Sequence, residues 1–503
     1  MKTGFMRISR HSLFLAFVFV FALAGIVLRL RGLQDQSFWE DELFSAAIIL
    51  QYPLWPEAGA DFFRSVPFAH LMPGDTFWTV KGADQSPPLF ELTGKLFAMP
   101  LGDAEWVLRL PGALCAAGVL IWLARLAWQR RQQPIGGVYA LMLALMSCSG
   151  LMVFYAHEAR AYSLGVSLCT ALTVFFLQRL DKGWQSAPLP GWGEVAVAVA
   201  ACLTHYSAMV LCVLLLFPCG LQALRQRDWR AAARLCVAPV VALAWMALAR
   251  AGFQAAQSGQ IGWFAHMSYV QALILVGQSL TGKALGWPLC AAMLLALACG
   301  AAARPRTDGI LHGRCMLALA GVALAYGLIA AYMVFKSRIE NVRHLIFILP
   351  LLFALTGIAI ARISHVGQYG KAVALAMTLV LTAASVWGLG TWRQIEKNDF
   401  RGAAHFVLER LRDGDLMLLG PLVNTRQELA YYAGPRSGRH LQLEVISDAQ
   451  AACQRMGDAA RVGIFSPGVH EALLNEMAQT CGASYIIEKA PVRGALGQVW
   501  TRR

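Results

Sequence analysis

Apolar runs long enough to cross a membrane recur along most of the chain. Hydrophobic residues make up 57% of the 503 positions, charged residues only 14%, and the mean hydropathy is +0.53. A soluble domain carries about 25% charged residues, and a membrane-spanning helix needs about 20 apolar residues. Eleven segments reach or approach that length, at about 13–30, 106–128, 134–153, 160–178, 192–204, 207–223, 236–250, 285–302, 315–335, 344–361 and 370–391. The sequence therefore predicts a polytopic, mainly α-helical membrane protein.

Two span boundaries require a choice. The run 192–223 would place His205 in mid-bilayer if it were one helix, and an ionisable side chain is costly there. We therefore predict a break at residues 204–207. The basic N-terminus before the run 13–30 is similar to a signal peptide, but the run is long enough to span, so we predict an uncleaved first helix.

The basic and acidic side chains lie in alternate connections between the spans. The basic connections contain Arg125, Arg130, Arg131, Arg179, Lys182, Arg225, Arg227, Arg230, Arg234, Arg304, Arg306, Arg314, Arg362 and Lys371. The others contain Glu40, Asp41, Glu42, Asp61, Asp75, Asp84 and Glu158. The positive-inside rule then predicts a multi-pass protein of the cell inner (cytoplasmic) membrane, with a cytoplasmic N-terminus and an extracytoplasmic C-terminal domain. The net charge of +14 fits this topology and anionic lipid, so we infer no nucleic-acid partner.

Composition divides the chain into a transmembrane domain, 1–393, and a soluble extracytoplasmic α/β domain, 394–503. The first outer loop, about 31–105, is apolar enough to be ordered. The pattern at 41–51 predicts an interfacial helix, and that at 89–99 a second short helix. In the C-terminal domain, strand-like segments at 415–419, 441–446, 461–465 and 484–487 alternate with helical ones at 403–412, 427–432, 449–456 and 469–480. It contains no G-x-G-x-x-G, which argues against nucleotide binding.

The twelve cysteines indicate no metal or redox motif. Ten lie singly in or beside apolar segments, where they behave as small hydrophobic residues, and no two have C-x-x-C spacing. Cys453 and Cys481 lie in the polar C-terminal domain and could form a disulfide if that domain is outside the cytoplasm.

The acidic segment Glu40-Asp41-Glu42 follows the first span and is the first candidate for chemistry. Asp41 could act as a general base toward an acceptor hydroxyl or amine, with Glu42 beside it. The same residues would also suit the first turn of a helix, where acidic side chains are favoured by the helix dipole. Both interpretations can hold together.

The segment from Tyr155 to Tyr162 is the second candidate. In a continuous helix, Tyr155, Glu158 and Tyr162 would share a face and Arg160 would point elsewhere. His157 or Glu158 could position substrate and Arg160 could meet an anionic group, whereas a surface ion pair would contribute little.

Two other outer segments carry polar side chains. His205 and Tyr206 could line the same cavity, or they could belong to an interfacial aromatic belt. The loop from Lys336 to His344 is basic against the positive-inside trend, so Lys336 and Arg343 could hold a lipid phosphate, or they could anchor the topology.

Six motifs occur in an order that resembles a known family. They are Glu40-Asp41-Glu42, Ser86-Pro87-Pro88-Leu89-Phe90, Arg109-Leu110-Pro111, Tyr155…Glu158-Ala159-Arg160-Ala161-Tyr162, Thr204-His205-Tyr206 and Arg343-His344…Pro350. Together with Asp399-Phe400-Arg401-Gly402, they resemble the glycosyltransferase family 39-like enzymes of the C-type superfamily. These include bacterial relatives of protein O-mannosyltransferases and lipid A aminoarabinose transferases.

The resemblance implies a multi-span fold and an extracytoplasmic active site that uses a sugar on a polyprenyl phosphate. Asp41 aligns with the family's proposed catalytic carboxylate, and outer-loop arginines align with groups that hold the donor phosphate. Relatives often have Lys or His just before the paired prolines, whereas this chain has Gln85-Ser86.

We therefore predict inverting transfer of a sugar from a polyprenyl-phosphate donor, with a membrane lipid, a glycan or a protein as acceptor. Asp41 and Glu158 could contribute to a site for a divalent cation such as Mg²⁺ or Mn²⁺, although their spacing does not require one. A transporter or flippase of a lipid-linked sugar, a non-catalytic assembly subunit, and a lipid-linked oligosaccharide transferase or ligase are the alternatives.

Overall fold

The structure is a computed structural model of the chain. It describes residues 10–51, 66–67, 77–82, 86–249, 268–305, 309–337, 342–420, 425–433, 441–446, 448–466 and 471–503. Among the residues named above, Asp61, Asp75, Asp84, Gln85 and Arg306 lie outside these ranges.

Apolar helices form the membrane body. Eight candidate spans are long and apolar enough to cross a bilayer: Ser12–Leu30, Glu105–Gln129, Tyr162–Lys182, Tyr206–Arg225, Trp229–Leu248, Gly313–Lys336, Val342–Ser364 and Gln368–Arg393. Two further spans are bent helix pairs, Pro134–Cys148 with Gly150–Ala156 at 63° and Tyr269–Ala284 with Trp287–Ala302 at 106°. The chain is thus a multi-pass membrane protein with eight to ten candidate spans in its described part.

The one predicted segment without a matching candidate span in the described part of the chain, 192–204, is helical but short. Helix Trp192–Cys202 contains 11 residues, which at 1.5 Å per residue is about half the thickness of a hydrocarbon core. The break predicted at residues 204–207 is present, since the next helix begins at Tyr206. His205 lies in that break, and its Nδ1 accepts a hydrogen bond from the Ser207 amide at 3.0 Å.

Three short helices of the first outer loop lie at one end of the membrane body. They are Glu40–Leu50, Phe77–Gly82 and Leu89–Leu101. In the first of them, Leu43, Ala46, Ile48 and Ile49 are all buried, because the helix packs between the membrane body and the C-terminal domain. The pattern at 41–51 therefore corresponds to a helix enclosed by protein rather than to one lying on the bilayer surface.

The C-terminal region is a six-stranded sheet with helices against it. Its strands are β1 (Val66–Pro67), β2 (Leu416–Leu419), β3 (Gln442–Val445), β4 (Arg461–Ser466), β5 (Tyr485–Lys489) and β6 (Leu496–Arg502), and they lie in the order β1-β3-β2-β4-β6-β5. Strands β3, β2 and β4 are parallel, and the others pair antiparallel. The helices are Phe400–Arg410, Thr425–Ala433, Ala449–Met456 and Glu471–Thr480.

Two features of this sheet were not predicted. Strand β1 comes from the first outer loop and pairs with β3, so the loop and the C-terminal region share one sheet. Strand β6 pairs with both β4 and β5, although the segment around Gly497 gave no strand signal. Cys453 and Cys481 form a disulfide beside it.

The sheet region is docked on the membrane body by hydrogen bonds close to the acidic segment. Ser37 donates to the Asn398 carbonyl at 2.6 Å, and the Phe38 amide donates to the Tyr432 hydroxyl at 2.9 Å. Arg401 pairs with the buried carboxylate of Glu105 at 3.2 Å. These contacts hold the residues that immediately precede Glu40.

Candidate functional site

The carboxylate of Glu42 lies at the centre of a buried ionic cluster. Arg109 donates to it twice, at 2.8 and 2.9 Å, Lys397 donates at 2.7 Å, and the Ala159 amide donates at 2.8 Å. Burial alone would raise the pKa of Glu42, but the charges and hydrogen bonds of Arg109 and Lys397 outweigh burial and lower it to about 2. The carboxylate is therefore ionised and fully enclosed.

Arg109 links this cluster to the turn before the acidic segment. Besides Glu42, it donates to the carbonyl oxygens of Leu33 at 2.7 Å, Gln36 at 2.8 Å and Ser37 at 3.2 Å. Its guanidinium also lies 4.8 Å from the centre of the Phe38 ring. One buried arginine thus fixes both ends of the segment that carries Asp41.

Asp41 faces the opposite way and is accessible. Its side chain is 23% exposed and forms an ion pair with Arg343, whose side chain is 17% exposed. The Arg343 guanidinium lies near the rings of Trp39 and Tyr162, at 5.8 and 5.7 Å from their centres. The first turn of the Val342–Ile348 helix therefore brings a cation to the acidic segment.

Glu158 is buried in the turn that follows the bent helix pair. Neither carboxylate oxygen accepts a hydrogen bond from any described residue, and the nearest cation is Lys397 at 3.6 Å. The pKa of Glu158 is raised to about 7, mainly by burial, with Lys397 acting against the shift and Glu42 adding to it. Glu158 can thus gain or lose a proton near neutral pH, next to the Glu42 cluster.

Residues 155–162 form no continuous helix, in keeping with the gap between the predicted spans 134–153 and 160–178. One helix ends at Ala156 and the next begins at Tyr162, with a turn between them. The helical face considered for Tyr155, Glu158 and Tyr162 therefore does not form. The turn instead points Glu158 at Lys397 and lets the Ala159 amide bond Glu42.

Arg160 belongs to a second polar chain beneath helix Glu40–Leu50. It donates to the Ser45 hydroxyl at 3.1 Å, and Ser45 donates to Glu91 at 3.2 Å. Lys81 pairs with the other Glu91 oxygen at 3.2 Å and donates to Ser86 at 2.8 Å. Lys81, from a separate helix, thus reaches the serine that precedes the paired prolines.

Aromatic and imidazole rings line the wall between Arg160 and Arg343. His205 stacks on Phe347 at 4.6 Å, and its ring centre lies 5.6 Å from Tyr162 and 5.4 Å from His344. Burial lowers the pKa of His205 well below its usual value, and the neighbouring His344 and Arg160 lower it further. At neutral pH His205 is therefore uncharged.

The remaining predicted residues lie around these groups or apart from them. His157 is hydrogen-bonded to the Leu28 carbonyl at 2.8 Å and lines a cavity with Arg109 and Lys397. Tyr206 begins its helix beside His205. Lys336 is exposed and lies 5.7 Å from the Phe335 ring, and no ion pair with the cluster is observed for it among the described residues. Residues 338–341 of its loop lie outside the described ranges.

Lys397, Glu91 and Lys81 escaped the sequence analysis, and Arg109 appeared in it only within the motif Arg109-Leu110-Pro111. Lys397 and Glu91 lie far from Glu42 in sequence, and Arg109 and Lys81 sit in apolar or short helical segments. A charged residue inside an apolar segment is the sequence feature that could have identified such residues. Burying an unpaired charge costs free energy, so a charge in that position usually has a partner. Arg109 in helix Glu105–Gln129 meets that criterion.

The carboxylates suggested for a divalent cation face cations of the protein instead. Asp41 pairs with Arg343, and Glu158 faces Lys397. Within the described ranges, no group of three or more His, Cys, Asp or Glu side chains is placed to hold a metal ion. These residues do not by themselves form a metal site.

Solved structures of ArnT match nearly the whole chain. ArnT from Cupriavidus metallidurans in the apo state covers 96% of this chain and 98% of its own, with 13% identity and a TM-score of 0.54. The same protein bound to undecaprenyl phosphate covers 98% of both chains, with 13% identity and a TM-score of 0.52. No protein-family model and no curated protein sequence matches the chain. The chain therefore shares the membrane fold of ArnT, which agrees with the multi-span fold that the resemblance implied.

Proposed function

We propose that this protein transfers a sugar from a polyprenyl-phosphate donor to an acceptor at the outer face of the cell inner membrane. The pairing of Asp41 with Arg343 carries the proposal, because it places an accessible base beside an accessible cation at one end of a membrane fold. The fold neighbour ArnT binds undecaprenyl phosphate, which supports a lipid phosphate as the ligand.

Arg343 suits the phosphate of the donor. A guanidinium presents paired donors that match phosphate oxygens, and it stays charged during the reaction. Cation–π contacts with Trp39 and Tyr162 restrict this guanidinium before the donor binds, so less conformational entropy is lost when phosphate binds. Arg160 lies on the same wall, tied to Ser45, as a second cation for the phosphate.

In the proposed step, Asp41 accepts the proton of the acceptor hydroxyl or amine as that atom attacks the anomeric carbon. The new bond forms on the face opposite the phosphate, so the configuration inverts. The bond between the anomeric carbon and the phosphate oxygen breaks, and its electron pair leaves on polyprenyl phosphate. Arg343 stabilises that developing charge, a contribution typical of preorganised donors.

The ion pair with Asp41 also regulates the base in this mechanism. A carboxylate bound to an arginine is a weaker base than a free one. Phosphate competes for the same guanidinium, so donor binding releases Asp41 just when the acceptor needs it.

The buried residues position this pair rather than react. Glu42 is fully buried and accepts hydrogen bonds from Arg109, Lys397 and the Ala159 amide, so we assign to this cluster the role of fixing helix Glu40–Leu50. Glu158 sits behind them, enclosed and close to Lys397. The outer location is supported by the Cys453–Cys481 disulfide, which persists in oxidising compartments.

A transporter of a lipid-linked sugar is the second candidate, since bent spans such as Tyr269–Ala284 with Trp287–Ala302 are common in transporters. The ionic groups described above gather at one end of the fold, which favours surface chemistry.

The test uses purified protein in liposomes that contain a radiolabelled polyprenyl-phosphate sugar, with a membrane extract as acceptor. We expect label to leave the polyprenyl fraction only when acceptor is present. Label that crosses the bilayer while still attached to the lipid would support transport instead. Donor binding without either outcome would indicate a non-catalytic subunit.

A further inference from the structure

A cavity of about 480 Å³ adjoins the Glu42 cluster without including Asp41 or Arg343. Arg109, Lys397 and His157 form its inner wall. It lies between the helix ends of Ser12–Leu30, Gly150–Ala156 and Gln368–Arg393, so it opens at the end of the membrane body that carries the proposed reaction. Nothing in the transfer mechanism uses this space.

The cavity has an apolar side and a cationic rim. Val27, Leu28 and Leu389 supply apolar surface at the level of the helix ends. Arg31 directly follows the first span, Arg393 ends the last one, and both side chains are exposed at the rim. This layout, apolar below and basic above, matches the chain and headgroup of a lipid.

The two arginines at the rim of the cavity have no acidic partner among the described residues. In the part of the chain that the structure describes, neither Arg31 nor Arg393 forms an ion pair. The carboxylate that lines the cavity, Asp35, folds over the turn at Gly32, whose positive φ of 80° requires glycine. The two arginines therefore remain available to an anion.

Their position also differs from the expected charge distribution. The positive-inside rule places few cations at the outer end of spans, the end to which the sequence assigns the acidic segment. A single arginine there could simply extend to the lipid headgroups. Two unpaired arginines on one concave cavity with an apolar side define a saturable site instead.

We propose that this cavity binds the phosphate headgroup of an anionic membrane lipid, separately from the sugar donor. Arg31 and Arg393 hold the phosphate, and the first carbons of the chains lie on Val27, Leu28 and Leu389. The site does not depend on the proposed transfer, because its occupation needs neither donor nor acceptor.

The experiment is native mass spectrometry of the purified full chain in detergent, titrated with phosphatidylglycerol. The variant is Arg31→Gln/Arg393→Gln. Arg225→Gln/Arg230→Gln is the matched control, because those arginines also flank spans and are exposed but do not line the cavity. Parallel titrations use phosphatidylcholine and inorganic phosphate.

We expect one phosphatidylglycerol to bind more tightly than the rest, and to bind about 30-fold more weakly to Arg31→Gln/Arg393→Gln. This corresponds to two cationic contacts with a lipid headgroup. The control should bind like the wild type, phosphatidylcholine should not compete, and inorganic phosphate should compete only weakly because it lacks chains. The proposal is overturned if the rim variant binds like the wild type, if the control loses as much affinity, or if phosphatidylcholine binds equally well. Phosphate that competes as strongly as the lipid would also overturn it, since the site would then be one for a free anion.

Discussion

Replacement of Arg109 by methionine should destabilise the membrane body more than the loss of any single surface charge. Methionine keeps much of the volume but removes two hydrogen bonds to Glu42 and three to backbone carbonyls. It also leaves the Glu42 carboxylate, which is 0% exposed, with Lys397 as its one remaining cation. Breaking a buried ion pair by removing one partner costs about 3–5 kcal/mol. Since Lys397 remains at 2.7 Å, we expect the lower end, about 3 kcal/mol.

The pH dependence of this cost follows from the lowered pKa of Glu42. A carboxyl group with a folded pKa near 2 and an ordinary value of 4.5 contributes stability above about pH 4.5 and loses it as the pH falls toward 2. The difference between wild type and Arg109→Met should therefore be largest near neutral pH and shrink in acid, where Glu42 is protonated.

The assay is equilibrium unfolding in mixed detergent micelles, followed by tryptophan fluorescence. Arg225→Met is the control, since Arg225 is exposed. The double variant Glu42→Gln/Arg109→Met closes a double-mutant cycle and should regain part of the loss, because the unpaired charge is gone. Wild-type stability in Arg109→Met, or strictly additive effects in the double variant, would refute the central role of this pair.

Three further predictions follow from other buried groups. Burial raises the pKa of Glu158 from 4.5 to about 7, so the folded state loses stability as the pH rises from 4.5 to 7 and this carboxyl group ionises. Glu158→Gln should remove that loss, which is on the order of 3 kcal/mol, from the pH profile of the unfolding free energy. Lys397→Met should weaken protection of the Glu42 helix in hydrogen exchange and should raise the apparent pKa of Glu158 further, because the nearest cation is lost; an unchanged profile would contradict the contact. Reduction of Cys453–Cys481, or Cys453→Ser, should destabilise the C-terminal sheet by about 2–4 kcal/mol in thermal unfolding, and equal stability of reduced and oxidised protein would argue against a structural disulfide.

The sequence predicted the membrane body well because the bilayer imposes a simple rule. Backbone N–H and C=O groups inside a bilayer need hydrogen-bond partners within the protein, and a helix satisfies them within one apolar segment. Each predicted span is accordingly helical in the structure. It could not show that two spans are bent, since the bend between Cys148 and Gly150 depends on packing. A Cβ atom at Gly150 would lie 2.5 Å from the Trp392 ring, a contact that no local pattern reveals.

The sequence identified the charged residues of the site that lie in polar segments, but not the buried ion pairs around Glu42. Asp41 and Arg343 were chosen from separate segments, and the structure pairs them. The partners of Glu42 were missed, because Lys397 lies 355 positions away and approaches only when the C-terminal region docks. The hydrogen bond from the Ala159 amide to Glu42 was missed, because its two residues are distant in sequence and no local pattern links them.

The most direct test of the account compares Asp41→Asn with wild type, with donor binding and sugar transfer measured separately on purified protein. Asparagine keeps the size of the side chain but cannot accept the acceptor proton at neutral pH, and a positioned base contributes about 10²–10⁴-fold to rate. We expect Asp41→Asn to bind the radiolabelled polyprenyl-phosphate sugar at least as tightly as wild type, since Arg343 is released from its ion pair, while transfer falls by at least about 100-fold. Transfer by Asp41→Asn at the wild-type rate would contradict the proposed mechanism.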